Sequence, residues 1–230
     1  MHDVKGILGS HFMLRHLLPG DLDRLAQLVT TRHYEAGAKV FLKGDPGTAM
    51  MAVLSGRVRI CSYSAEGREV VLNVMSPGEV FGEIALIDGG ERTADAFAME
   101  ATELLILSRR DFLPFLTGNP DVCIGLLEVL CRRLRWTTEQ LEDLQFLDLR
   151  SRLAKRLLYL NDHHAEVNGA DKLRRVRVSQ HLLANMIGTS REAVNKQLSE
   201  WRDQSLIKVG RGSISILDRD RLAEIVDETD

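Results

Sequence analysis

Apolar and polar positions along the chain fall into three regimes. Across residues 33–108, short apolar runs such as Met51-Ala52-Val53-Leu54, Val58-Arg59-Ile60 and Val70-Val71-Leu72-Asn73-Val74 lie between glycines at Gly37, Gly44, Gly47, Gly56, Gly67, Gly78 and Gly82. Turn signals at that spacing predict short antiparallel strands closed into a barrel or jelly roll. Ahead of them, Leu22, Leu25, Ala26 and Val29 fall at helical spacing and predict a short helix. From about residue 120 to 147 the period changes. Leu127, Leu130, Leu134, Leu141 and Leu144 recur at alternating three- and four-residue steps, with Thr137 in the remaining slot. That heptad seam suits a helix paired with a second copy or an amphipathic helix lying on its own barrel; we read it as a dimer interface.

Phe146-Leu147-Asp148 ends the seam as a hinge, and Asp148 is placed to cap the following helix. Residues 161–172, with His163, His164, Asn168 and Gly169, read as a polar surface loop. Adjacent histidines without a Cys or carboxylate pattern give no metal site, so none is expected.

Residues 180–198 carry the most specific pattern. Leu182, Leu183, Ala184, Met186 and Ile187 make one helix, Gly188 supplies a left-handed turn, and Ser190 caps a second helix that buries Val194 and Leu198. Arg191, Glu192, Asn195 and Lys196 are left projecting from its first turns. In a helix-turn-helix those positions reach base edges in the major groove, where Arg pairs with guanine and Glu accepts from cytosine. The bland alternative is a helical hairpin with a solvated face. Residues 206–217 then alternate around Gly210-Arg211-Gly212, which predicts a β-hairpin wing with Arg211 on phosphate.

Charge sharpens this division. The whole chain of 230 residues has a net charge of −3, yet residues 150–211 hold 13 Lys/Arg against 6 Asp/Glu, while residues 1–149 hold 15 against 21. A basic block in an acidic chain fits nucleic-acid binding or a solvated basic face. Composition is that of an ordinary globular protein, at 44% hydrophobic and 27% charged. The three cysteines are scattered and suit a reducing cytoplasm. No membrane span or secretory signal is expected. With no G-x-S-x-G, P-loop, H-E-x-x-H or C-x-x-C, the sequence gives an enzyme little to stand on.

In the first half, Phe81-Gly82-Glu83-Ile84-Ala85-Leu86 precedes Glu91-Arg92-Thr93-Ala94. Backbone N–H groups at a glycine turn plus one Arg make an anion cradle, and Glu83 can accept from a sugar hydroxyl. By itself this specifies an anion, not a nucleotide.

These residues resemble the phosphate-binding cassette of cyclic-nucleotide-binding domains, F-G-E-L-A-L followed by R-[ATS]-A. The chain as a whole, over roughly residues 15–217, resembles the cyclic AMP receptor protein and fumarate–nitrate regulator family of bacterial transcription regulators. The other marks are Arg132-Arg133-Leu134 leading into Thr137-Thr138, and residues 189–194. The resemblance implies an α+β architecture: an N-terminal antiparallel β jelly roll (1–119), a long dimerisation helix (120–147) and a C-terminal winged helix-turn-helix (148–230).

It further implies a cyclic AMP effector held by Leu72, Gly82, Glu83, Ile84, Arg92, Thr93, Thr137 and Thr138. Gly82, Glu83, Arg92 and Thr93 serve phosphate and ribose, and the paired threonines serve the purine, one of them from a second subunit. Cyclic GMP, or no nucleotide at all, stays open. On the DNA side the expected contacts are Gln180, Ser190, Arg191, Glu192, Asn195, Lys196 and Arg211, reading a palindromic TGTGA-like operator. Three departures from the family pattern relax that half-site: Lys196 for Arg, Asn195 for Gly and Gln180 for Arg. The expected partners are double-stranded DNA, a second copy of the chain and RNA polymerase. The other function class, a ligand or interaction module with a merely structural helix-turn-helix, stays open too. No N-terminal cysteine cluster for an iron–sulfur sensor is present, and no axial haem ligand is singled out.

Overall fold

The computed structural model describes residues 19–167 and 173–227. The chain divides between Arg135 and Trp136 into two compact units.

The first unit opens with helix α1 (Pro19–Leu28). Leu25 is buried in the core, with Leu22 and Ala26 packed beside it. Val29, expected as the last helical position, instead starts strand β1 (Val29–Tyr34) and pairs with Leu107. The run Val29-Thr30-Thr31 explains this, because β-branched side chains favour extended backbone. Strands β2 (Lys39–Phe41), β3 (Ala49–Ser55), β4 (Val58–Tyr63), β5 (Glu69–Met75), β6 (Val80–Phe81), β7 (Asp95–Ala98) and β8 (Thr102–Ser108) follow, with helix α2 (Glu83–Asp88) between β6 and β7. They form two four-stranded sheets, in the orders β1-β8-β3-β6 and β2-β7-β4-β5, with every pairing antiparallel. This is the jelly-roll layout.

Strand β3, an inner strand of the first sheet, is apolar on both faces. On β3, Met51 and Val53 join a cluster with Phe41, Val58, Phe81 and Leu104. Met50 and Leu54 point the other way and join Phe112, Phe115, Val122, Leu126 and Val129. Successive strand residues point to opposite faces, so burial on both sides requires a continuous apolar run. The helices covering that second face are α3 (Arg109–Gly118), capped by the Ser108 hydroxyl on the Asp111 N–H, and the first turns of α4 (Pro120–Phe146).

Helix α4 runs close to its expected bounds. Val122, Leu126 and Val129 are buried, whereas Leu127, Leu134, Leu141 and Leu144 of the seam are exposed, together with Ile124 and Phe146; Leu130 is half-buried.

The second unit holds the last turns of α4, from Trp136, and then α5 (Leu149–His164). Asp148 caps α5 by accepting from the Ser151 N–H at 2.8 Å. His163 and His164 lie in the last turn of α5, not in the loop expected there; Leu157 and Leu160 are buried, and packing carries the helix on past the polar residues. Asn168 and Gly169 lie outside the described residues. Strands β9 (Ala165–Val167) and β10 (Arg174–Arg177) carry no apolar alternation to mark them in the sequence. They join the wing strands β11 (Ile207–Gly210) and β12 (Ser213–Ile216) in one sheet of order β11-β12-β10-β9. Helices α6 (Gln180–Ile187), α7 (Arg191–Asp203) and α8 (Arg219–Asp227) complete the unit. Its core contains Leu183, Val194, Leu198 and Trp201.

Candidate functional sites

In the first unit the chemistry gathers at Gly82. The residue adopts φ 79°, the left-handed region that glycine enters freely. A Cβ built there would stand 2.6 Å from Arg92 Nη1, so the turn also needs glycine for room. Arg92 is 5% exposed, donating from Nη1 to the Gly82 carbonyl at 2.8 Å and from Nη2 to the Ala49 carbonyl at 2.6 Å. Its guanidinium carbon sits 4.3 Å from the centre of the Phe41 ring, a cation–π contact. Burial lowers its pKa, opposed by the nearby charges of Glu83 and Asp45.

Glu83, one residue after the turn, is wholly buried. Its Oε1 accepts from Arg133 Nη1 at 2.5 Å, while Oε2 is buried without a partner among the described residues. Arg92 Nε is in the same condition. Buried polar atoms are nearly always satisfied, so two orphans of opposite character beside one glycine turn make this the candidate place for a polar ligand. Thr93 is exposed beside Arg92, and two further expected ligand residues, Leu72 on β5 and Ile84 on α2, are exposed apolar side chains.

Three residues that sequence reasoning did not assign complete this site. Arg133 neutralises Glu83 from 50 positions along the chain and also donates to the Val80 carbonyl. It lies within the Arg132-Arg133-Leu134 run, but no spacing rule links it to Glu83. Arg109 donates from Nε to the Leu86 carbonyl at 2.7 Å, pinning the C-terminus of α2, where a cation suits the helix dipole. Gly47 packs so tightly against Ala85 that a Cβ there would lie 2.1 Å from the Ala85 Cβ. Thr137 and Thr138 belong to the second unit, on an exposed stretch of α4.

In the second unit, α6 is capped by Ser179, whose hydroxyl accepts from the Leu182 N–H at 3.1 Å. It ends at Gly188, φ 67°, with the cap N–H bonded to the Ala184 carbonyl. Ser190 then caps α7, accepting from the Ala193 N–H at 3.2 Å. Side chains of Arg191, Glu192 and Lys196 project into solvent from the first turns of α7. The Glu192 carboxyl is held below its usual range, chiefly by its own backbone N–H and then by the Ser190 hydroxyl, and so stays an acceptor. Asn195 is half-buried, with its Oδ1 buried and unpartnered among the described residues. Arg211 is exposed at the wing turn. A cleft of about 460 Å³, lined by Gln180, His181, Arg191, Gly210 and Ser213 among others, runs between the start of α6, the start of α7 and the wing. The unit thus brings Gln180 and Arg191 onto one concave surface. Among the described residues, no group of three His, Cys, Asp or Glu is placed to hold a metal ion. No single described helix is long and apolar enough to cross a membrane.

Comparison with known proteins matches one family to each unit. Residues 31–119 match the cyclic nucleotide-binding domain family, and residues 151–225 match the Crp-like helix-turn-helix domain. The chain is 37% identical over 209 residues to the cyclic AMP receptor protein of Thermus thermophilus, covering 91% of this chain and 94% of that one. It is 32% identical over 217 residues to the CRP-like cAMP-activated global transcriptional regulator of Mycobacterium tuberculosis, covering 94% and 97%. Among solved structures, the c-di-GMP responsive global regulator CLP of Xanthomonas campestris superposes with a TM-score of 0.75 at 26% identity, covering 86% of this chain and 98% of that one. The Thermus thermophilus catabolite activator protein gives 0.54 at 34% identity, covering 95% and 99%.

Proposed function

Since the chain belongs to the cyclic AMP receptor protein family of transcription regulators, we propose that it is a homodimer that binds cyclic AMP and, so loaded, a palindromic TGTGA-like operator. The observation that carries the ligand half is the Gly82 turn. A buried carboxylate and a buried guanidinium each keep one orphan polar atom there, Glu83 Oε2 and Arg92 Nε.

The cradle fits a cyclic nucleotide by its chemistry. Glu83 Oε2 is an acceptor awaiting a hydroxyl, which a ribose supplies. Arg92 now donates to two neutral carbonyls, and a phosphate oxygen would compete for those donors with a charge-assisted bond about twice as strong. Exposed Leu72 and Ile84 offer apolar cover, Thr93 adds a hydroxyl, and the resemblance assigns the purine to Thr137 and Thr138. Two relatives are named for cyclic AMP, which favours it over cyclic GMP.

Leu127, Leu130, Leu134, Leu141 and Leu144 form the seam between two copies. Arg191 reads guanine and Glu192 cytosine, while Gln180, Ser190, Asn195, Lys196 and Arg211 contact the flanking backbone and bases. Ligand shifts the population between DNA-incompetent and DNA-competent dimers by binding the second better, and RNA polymerase reads the outcome. The reading places the protein in the cytoplasm, with the chromosome.

Calorimetry on wild type and Arg92→Ala with cyclic AMP, cyclic GMP and cyclic di-GMP tests it. Wild type should bind cyclic AMP most tightly, and the variant should lose at least tenfold. Equal binding by both proteins would remove Arg92 from the site, and a preference for either guanine nucleotide would replace the ligand.

A further inference from the structure

Four side chains in the second unit form a continuous stack that neither site uses. The Arg156 guanidinium carbon lies 4.9 Å from the centre of the Trp136 ring and 5.8 Å from that of Tyr159. The two rings are 4.4 Å apart, and Tyr159 in turn stacks on His163 at 4.4 Å. Arg156 also donates from Nη2 to Gln140 Oε1. Trp136 and Gln140 stand on α4; Arg156, Tyr159 and His163 stand on α5. Further along, Lys155 Nζ meets Asp143 Oδ1 at 2.5 Å.

Arg156 is 9% exposed, and among the described residues no carboxylate lies within ion-pair distance of it, although Asp143, held by Lys155, is near enough to favour its charge. A buried cation with no direct ion pair is expensive, and an apolar side chain of similar length would fill the space at less cost. What Arg offers here is a planar group that stacks on an aromatic face while its edge donates a hydrogen bond. The contact is kept although the Trp136 indole N–H is buried without a partner among the described residues. Both costs fall on a single helix–helix contact, and Trp136 immediately precedes Thr137 and Thr138.

We propose that Arg156 is a positioning residue. It clamps the Thr137–Thr138 stretch of α4 onto the DNA-reading domain, so that a change imposed on that stretch is passed to α5 and from there to the reading helices. This regulation rests on the nucleotide reading above.

The test uses the full chain on a TGTGA-bearing duplex at fixed salt, with and without cyclic AMP, beside calorimetry of cyclic AMP binding. Wild type should gain tenfold or more in DNA affinity on adding nucleotide. Arg156→Leu should gain less than threefold while its calorimetric cyclic AMP affinity stays within threefold of wild type. Trp136→Tyr, which keeps a ring, should respond like wild type, whereas Arg156→Lys, which keeps charge without the plane, should fail like Leu. A full response from Arg156→Leu overturns the proposal.

A second readout separates this from failure of the nucleotide reading. Trp201 is fully buried, so acrylamide reports on Trp136. Without nucleotide, Arg156→Leu should at least double the quenching constant and change DNA affinity fivefold or more, with thermal unfolding confirming a folded chain. If wild type ignores cyclic AMP, the nucleotide reading falls while these values decide the clamp. Unchanged quenching and DNA affinity overturn it.

Discussion

Arg133 and Glu83 stand 2.5 Å apart and 50 positions apart in sequence, and their pairing is what permits a carboxylate to be wholly buried behind the Gly82 turn. Removing one partner of such a pair leaves a buried charge uncompensated, which costs more than the pair itself contributes. Arg133 is partly solvated, which moderates the penalty. Arg133→Leu should therefore destabilise the first unit by about 1–3 kcal/mol, read as a shift of the urea midpoint at neutral pH. Adding Glu83→Gln should recover part of the loss. A double variant no more stable than Arg133→Leu would show that the two act independently.

Asp148 supplies a pH dependence with a fixed sign. Its carboxyl is held below its ordinary value, chiefly by the Ser151 N–H that it accepts at the start of α5. A group whose folded pKa is depressed contributes stability above its unfolded pKa and loses it as pH falls through the folded one. Asp148→Ala should cost about 0.5–2 kcal/mol at pH 7, the usual worth of such a cap. Asp148→Asn should cost less. In unfolding midpoints from pH 7 down to 3, the gap between wild type and Asp148→Ala should narrow below about pH 4, near the unfolded aspartate value. A constant gap would mean that the cap's charge plays no part.

Leu134 is 69% exposed in the single chain, in line with exposed Leu127 and Leu141. An apolar stripe of this kind on a long helix is the signature of a covered face. Leu134→Glu should convert the protein from dimer to monomer in sedimentation at micromolar concentration, with nucleotide affinity reduced alongside. A wild-type chain that sediments as a monomer would refute the dimer.

Arg191→Ala should weaken binding to the preferred duplex by about 1–3 kcal/mol and relax discrimination at one guanine step. Competition among duplexes altered one base at a time reads this directly. A uniform loss over all of them would turn Arg191 into a phosphate contact.

Local signals were the legible part. The Gly188 turn, the Ser190 cap and the α7 face are encoded within a dozen residues, and the structure shows each of them. The strand region was readable from glycine spacing, but β9 and β10 were not, since Arg174-Arg175-Val176-Arg177 becomes a strand by pairing with the wing rather than by its own pattern. Val29 went astray for a related reason: helical spacing continued through it, and pairing with Leu107 decided otherwise. At the Gly82 turn the sequence displayed Glu83 and Arg92 but not what holds them. Arg133 and the Ala49 carbonyl arrive from 50 and 43 positions away, distances over which no periodicity speaks.

Nucleotide at the Gly82 cradle should raise affinity for DNA. The most direct measurement is DNA affinity at one fixed salt concentration while cyclic AMP is titrated from micromolar to millimolar. Wild type should show a saturable gain of about 5- to 150-fold, the usual range of coupling between two sites, abolished in Arg92→Ala. An affinity that stays flat across the titration in wild type would contradict it.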